Sequence, residues 1–445
     1  MPSKNDVPFL FIVLALVLAC SYVKAQHPVF ETEQNNLPLR ELHDRKEAIA
    51  NSPSAEERGQ LQQSLQTWLR QQENNAIRRS LAFHMSESSK GTSDWLWFWT
   101  NHFSVFSKKT NMQPMLANYE DTARRYSLNG SFEELLRNMV LHPAMLVYLD
   151  NLQNRKDRHN ENLAREILEL HTVGINGGYE QRDIQALAQA LSGIVVWTQS
   201  REPNFECLPP KCRIIHQAGS VLLSRQHTGG AKLFMGKIYR NAEGLEIFEM
   251  LRDLAHHPKT IGRLAAKLIQ FAIQDHPSDR QIAIVREVWQ RTAGDLSHIR
   301  KSVEDLRTLE SSEKRLKDPF RHLRDISHLL DQTCSPEVRM SAELMQQALE
   351  RLGMGQFQRI SPDGYPVHAD YWLGPDTLLQ RLETSQMIVR QLSQNLERDR
   401  MPLRLCTERL RLTAHSRTRK AIDVLESNPE KWLTVFLVSP EIMFH

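Results

Sequence analysis

Three segments hold residues whose types and spacing could do chemistry. The first is the aromatic run from Trp95 to Phe106, which contains His102. At about 100° per residue, Trp95, Trp99, His102 and Phe106 share one side of a helix, with Phe98 nearby. Burial among rings penalises the charged imidazolium and leaves a neutral imidazole. Such a group can be a hydrogen-bonded core residue, a general base or a metal ligand. The second segment is Glu161 to Val173. On a regular helix Asn162, Glu166 and Glu169 fall within a narrow arc, with Arg165 at its edge. Leu163, Ile167, Leu168 and Leu170 lie across the other arc, and His171 projects into it as a core histidine. If the polar arc faces solvent, Arg165 balances its charge. If it lines a cleft, two carboxylates and an amide can hold a divalent cation or act as an acid and base pair.

The third segment is the glycine-bearing turn His227-Thr228-Gly229-Gly230-Ala231-Lys232. As an anion site, it would use the charge of Lys232 and backbone N–H groups exposed by the glycines. As a plain β-turn it needs only the glycines. It is not a Walker-type phosphate loop, because Ile238 stands where a Ser or Thr is needed. The candidate catalytic groups are therefore His102, Glu166, Glu169 and His227. The candidate metal ligands are His102, Glu166 and Glu169, with a divalent ion as the implied cofactor. Asn162, Arg165, Lys232 and Asp150 are the candidate substrate-binding groups. Asp150, Asn151 and Asn154 end the preceding helix, and either cap it or line the cleft. A nucleophile elbow, a dinucleotide fingerprint and a catalytic cysteine environment are all absent from the sequence.

The elements that must position these residues are mostly helical. Leu61, Leu65, Trp68, Leu69, Ile77 and Leu81 recur near helical spacing from Ala55 to about Met85. Further helices are expected near 131–140, 143–152, 161–173 and 182–191, with Gly174 as a left-handed stop. Pro143, Pro258 and Pro440 suit first helical positions. Residues 194–236 lose the helical rhythm and carry paired cysteines, prolines and short β-branched runs. This is an irregular insertion with room for a short β-hairpin. Helical periodicity resumes from Glu243, and a Pro/Gly/aromatic loop interrupts it between Gly353 and Gly374. The expected fold is all-α, a compact multi-helix array spanning 55–445.

The termini and cysteines bear on compartment. Lys4 precedes an apolar run from Val7 to Ala19, too short to span a bilayer and suited to a signal-peptide core. Residues 1–25 read as a signal peptide with cleavage before Gln26. Val17-Leu18-Ala19-Cys20 equally fits lipoprotein processing, in which Cys20 is lipidated and supplies the only membrane attachment. Residues 26–54 read as a polar, irregular arm. Cys207, Cys212, Cys334 and Cys406 remain for the folded body, an even number that suggests two disulfides, with the close pair Cys207–Cys212 joined. A four-thiolate zinc site is the alternative. A net charge of +3 on 445 residues gives no electrostatic footprint for nucleic acid. Locally, Arg398 to Lys420 holds eight Arg/Lys against two acids. That is a solvated face, or a contact for anionic lipid head groups.

Several motifs occur together. They include Trp97-Phe98-Trp99-Thr100-Asn101-His102-Phe103, His142-Pro143-Ala144-Met145-Leu146-Val147-Tyr148-Leu149-Asp150-Asn151, and Asn160 through Gly174 with Gly178-Tyr179 and Asp183. Later come His227, Gly230, Lys232 and Gly236, His257-Pro258 with Lys267-Leu268, Gly355-Gln356, Ser361 to Pro366 with Trp372, and Ser439-Pro440-Glu441. In order and spacing this set resembles the bacterial domain of unknown function 1800 family, over roughly residues 60 to 445. The resemblance implies an exported protein of the periplasm or cell surface. It carries no reaction. It also implies a partner, because members are often encoded beside an exported sulfatase-like family. Thr228 and Glu180 depart from the family pattern, which usually has Asp and Thr there, and part of the family's N-terminal region is missing. Two functions follow: an envelope enzyme, metal-dependent through a His/Glu cleft, or a non-catalytic envelope protein that supports the sulfatase-like partner.

Overall fold

The computed structural model describes residues 37–89, 91–197, 212–240, 244–310, 315–334, 340–398 and 403–444. The expected signal segment, Cys20 and the expected Cys207–Cys212 pairing involve positions outside the described residues or side chains. The fold is mostly helical with a few short strands, as the periodicity predicts. Residues expected to form an irregular arm include a helix, Leu37–Ala50, which buries Leu39 and Leu42. Its apolar positions are too sparse for the periodicity to show.

The chain forms two compact units. One comprises Met1–Gln63, Val140–Arg165 and Glu180–Met250. Here the irregular insertion makes two small sheets. β1 (Ile194–Val196), β2 (Cys212–His216) and β3 (Ser220–Leu223) form an antiparallel sheet in the order β1-β3-β2. The hairpin β2–β3 pairs Ile214 with Val221, and β1 pairs Ile194 with Leu222. β4 (Lys232–Phe234) and β5 (Lys237–Tyr239) form a second hairpin. Its turn places Met235 and Gly236 at φ 47° and 80°, the left-handed pair that matches strand twist. The Met235 N–H donates to Asp183 Oδ1 at 2.7 Å, which ties the turn to the Gln181–Leu191 helix. Asn151 and Asn154 are buried and donate to the carbonyls of Leu191, Ile194 and Ala188. They bind that helix end and β1 into one core.

The other unit comprises Ser64–Met139, Glu166–Tyr179 and Leu251–His445. Its core holds the Ser93–His102 helix, with Trp95, Trp97, Phe98 and Trp99 all buried. The helix stops at His102 instead of running to Phe106. Phe103 leaves the helix, and its freed carbonyl accepts from the Tyr119 hydroxyl at 2.7 Å. Trp97 stacks on Phe320 with ring centroids 3.9 Å apart. The Pro258–Ala272, Asp279–Arg291 and Leu296–Glu310 helices pack together, and Pro375–Arg398 packs on Pro429–Leu437. Cys334 and Cys406 form a disulfide. Among the described residues, no helix is long and apolar enough to cross a membrane.

Candidate functional site

The segment expected as one regular helix at 161–173 changes pitch. Asn162–Glu166 is α-helical and Ile167–His171 is π-helical. Single π turns occur often at functional sites because the wider turn re-aims side chains. The Thr172 hydroxyl closes it by donating to the Ile167 carbonyl at 2.7 Å, and Gly174 N–H donates to the Leu168 carbonyl at 2.9 Å. Gly174 then turns the chain at φ 86°. A Cβ there would stand 2.8 Å from Arg263 Cδ, so the turn lies against the Pro258–Ala272 helix.

That helix supplies Lys267. Its Nζ lies 3.2 Å from His102 Nδ1, and His102 Nε2 lies 3.3 Å from the His171 carbonyl. The carbonyl can only accept, so Nε2 carries the imidazole proton and Nδ1 accepts from the amine. The His102 and His171 rings are 5.5 Å apart. Both imidazoles are fully buried, and neither ring nitrogen of His171 has a hydrogen-bond partner among the described residues. Burial pushes His102 well below the ordinary histidine range, and the cations Lys267 and Arg263 push it further. Burial likewise lowers His171 to about 3. Lys267 is half-buried. Burial first, then the Arg263 guanidinium, brings its amine down to about 7, with Asp363 opposing. An amine that donates one N–H to His102 keeps its lone pair for another partner, which is the geometry of a general base or a nucleophile.

His227 and Lys232 belong to a different cluster. His227 Nδ1 faces the Ser192 carbonyl at 2.9 Å, and Nε2 faces Glu246 Oε1 at 2.9 Å. Lys232 Nζ donates to the same oxygen at 2.6 Å and to the Thr228 carbonyl at 2.8 Å. All three side chains are buried. Burial raises the Glu246 carboxyl, but hydrogen bonds from His227 and Lys232 outweigh it and hold the group at about 2. The ammonium of Lys232 is thus spent inside the protein, and the arrangement pins the glycine turn shut. The carboxylate partner of His227 comes from Glu246, so Thr228 in place of an acid does not cost His227 its pair.

Arg165 is held by Glu161 at 3.1 Å and Gln181 at 3.3 Å. Asn162 begins its helix, its N–H taken by Asn160 Oδ1, and Asp150 sits in a left-handed turn at φ 59°. Glu166 ends the α-helical turn and Glu169 lies within the π turn, both half-buried. Among the described residues, no three His, Cys, Asp or Glu side chains are grouped to hold a metal ion, and this covers His102, Glu166 and Glu169. The structure therefore joins His102 to Lys267 and His171, and joins His227 to Lys232 and Glu246. Sequence reasoning gave no role to Lys267, Arg263 or Glu246. For Lys267 a signal exists: it is three residues after Leu264 and four before Phe271, on the apolar side of its helix.

The Asn101 neighbour of His102 fixes the loop containing Gly364. Asn101 Nδ2 donates to the Tyr365 carbonyl at 2.9 Å, and Tyr365 N–H donates to Asn101 Oδ1 at 2.6 Å. A two-way clasp thus holds the end of the His102 helix.

A family described as "Protein of unknown function (DUF1800)" matches the chain over residues 21–444. That span starts well before the first recognisable motif. No curated protein and no solved structure matches.

Proposed function

The chain belongs to the DUF1800 family, whose description carries no reaction, and we propose that it is an exported enzyme whose chemistry runs on the Lys267 amine held by His102. One observation carries this reading: a half-buried lysine amine donates to the ring nitrogen of a buried neutral histidine, whose other nitrogen is fixed on the π turn. A general base works best with a pKa near the working pH, and Lys267 is held at about 7. His102 positions the amine, and the Phe98 ring lies 6.0 Å below Nζ. A divalent ion has no step in this reading, and Glu166 and Glu169 are left to the rim of the π turn. Export is supported by the apolar run from Val7 to Ala19 behind Lys4, and by the Cys334–Cys406 disulfide, a bond suited to oxidising compartments.

Competitive acetylation across pH, read by mass spectrometry on the Lys267 peptide, tests the proposal. Lys267 is expected to become reactive with a midpoint near 7, while exposed lysines follow at about 10.4. A Lys267 midpoint with the exposed group would end the reading. The second reading, a non-catalytic support for an exported sulfatase-like partner, draws on Tyr371, Leu373 and Leu379, which are about half exposed. It requires no special reactivity at Lys267.

A further inference from the structure

We propose that the surface around the Ser416–Ile422 helix docks onto an anionic lipid layer, a role independent of the Lys267 chemistry. The helix carries Arg417, Arg419 and Lys420. None of the three has a side-chain partner among the described residues, and Arg417 and Lys420 are exposed. On either side stand two apolar residues almost wholly in solvent, Leu412 at 80% and Val424 at 83%.

Arg411 brings these flanks together. Its guanidinium lies 3.1 Å from Asp423 and 2.6 Å from Glu426. Leu412 and Val424 each follow a bridge partner in the chain, so both stand beside the same ion pair. The acids nearest the patch are already engaged, Asp423 and Glu426 by Arg411, Glu408 by Arg404, and Glu441 by the His415 N–H at the start of the helix. What faces outward is therefore net positive with apolar tips. One exposed leucine would need no explanation. A leucine and a valine beside three cations without a side-chain partner among the described residues match the chemistry of a lipid interface, where apolar tips enter the acyl boundary and cations meet the head groups. A soluble polyanion would use the charges and leave Leu412 and Val424 idle.

The test is co-sedimentation of the full chain with phosphatidylcholine vesicles, with and without phosphatidylglycerol. The N-terminal apolar run acts equally in every variant, so the readout is the increment caused by anionic lipid. That increment is expected to be large and to shrink with salt. R417S/K420S removes two charges and should reduce it roughly thirtyfold. L412S/V424S should reduce it as well, with thermal unfolding unchanged, because both side chains are already in water. Equal binding to both vesicles would overturn the proposal. So would loss in R417S/K420S with full binding in L412S/V424S, since the surface would then be reading charge alone.

Discussion

Two lysines in this protein, Lys232 buried and Lys267 half-buried, solve the same problem differently. A charge taken out of water must be matched or given up. Lys232 is matched: its ammonium shares Glu246 Oε1 with His227, while Gly244 N–H takes the other carboxylate oxygen at 3.0 Å. Lys267 has His102 instead of a carboxylate, and burial leaves it close to neutrality. The first arrangement is structural, and substitution should show it. Glu246→Ala strands the Lys232 ammonium without its counter-charge and removes the oxygen that faces His227 Nε2, and is expected to cost about 3–5 kcal/mol. Lys232→Met leaves Glu246 with His227 and Gly244, and should cost less. Urea unfolding of both variants measures the order, and a Glu246→Ala protein as stable as the parent would refute the pin. Of these groups His102, His227 and Lys232 stand out in the sequence. Glu246 does not, because nothing in a helix-start glutamate marks it as buried.

At the scale of elements, the sequence shows most helices because their apolar positions recur at a regular pitch. It does not show where the pitch changes. A reading at about 100° per residue puts His171 in a core arc, and its ring is indeed buried, but the π turn at Ile167–His171, which sets the His171 carbonyl against His102, goes unseen. The hydrogen bonds from Thr172 and Gly174 that close that turn are tertiary in consequence but invisible in periodicity. The small sheets are half legible: β-branched runs announce strands, while the register follows from burial of Ile194, Val221 and Leu222. The Asn101–Tyr365 clasp makes an element-scale prediction. Gly353 and Gly364 both have positive φ, 72° and 76°. An alanine at either pays roughly 1–2 kcal/mol for the left-handed backbone. At Gly353 the added Cβ meets nothing, whereas at Gly364 it runs into the Asn101 backbone oxygen. Gly364→Ala should therefore lower the unfolding temperature clearly more than Gly353→Ala, and should speed hydrogen exchange at Tyr365. Equal shifts would mean that the loop yields without loosening the clasp.

At the scale of the molecule, five histidines among the described residues are kept neutral by burial: His84, His171 and His322 at about 3, and His102 and His142 well below the ordinary value. In the unfolded chain each would titrate near 6.5. Between those values the unfolded state binds more protons than the folded one, so stability rises with pH and is lost as pH falls below about 6.5. Glu120 works the other way. Burial raises it to about 7, so the folded protein holds one proton there that the unfolded chain releases at pH 5. The groups are unevenly divided. His142 lies in the unit that includes Val140–Arg165, while the other four histidines and Glu120 lie in the unit that includes Ser64–Met139. At pH 5 the second unit should take up roughly three protons net on unfolding and the first about one. Calorimetry between pH 5 and 7.5 should then show unfolding temperatures falling with acid, and the transition of the second unit falling further. The disulfide Cys334–Cys406 lies in that second unit and does not titrate in its oxidised form, so it leaves the slope unchanged. Transitions that stay flat over this range would mean that the buried imidazoles find proton acceptors on charging. The neutral His102 on which the Lys267 geometry depends would then lose its physical basis.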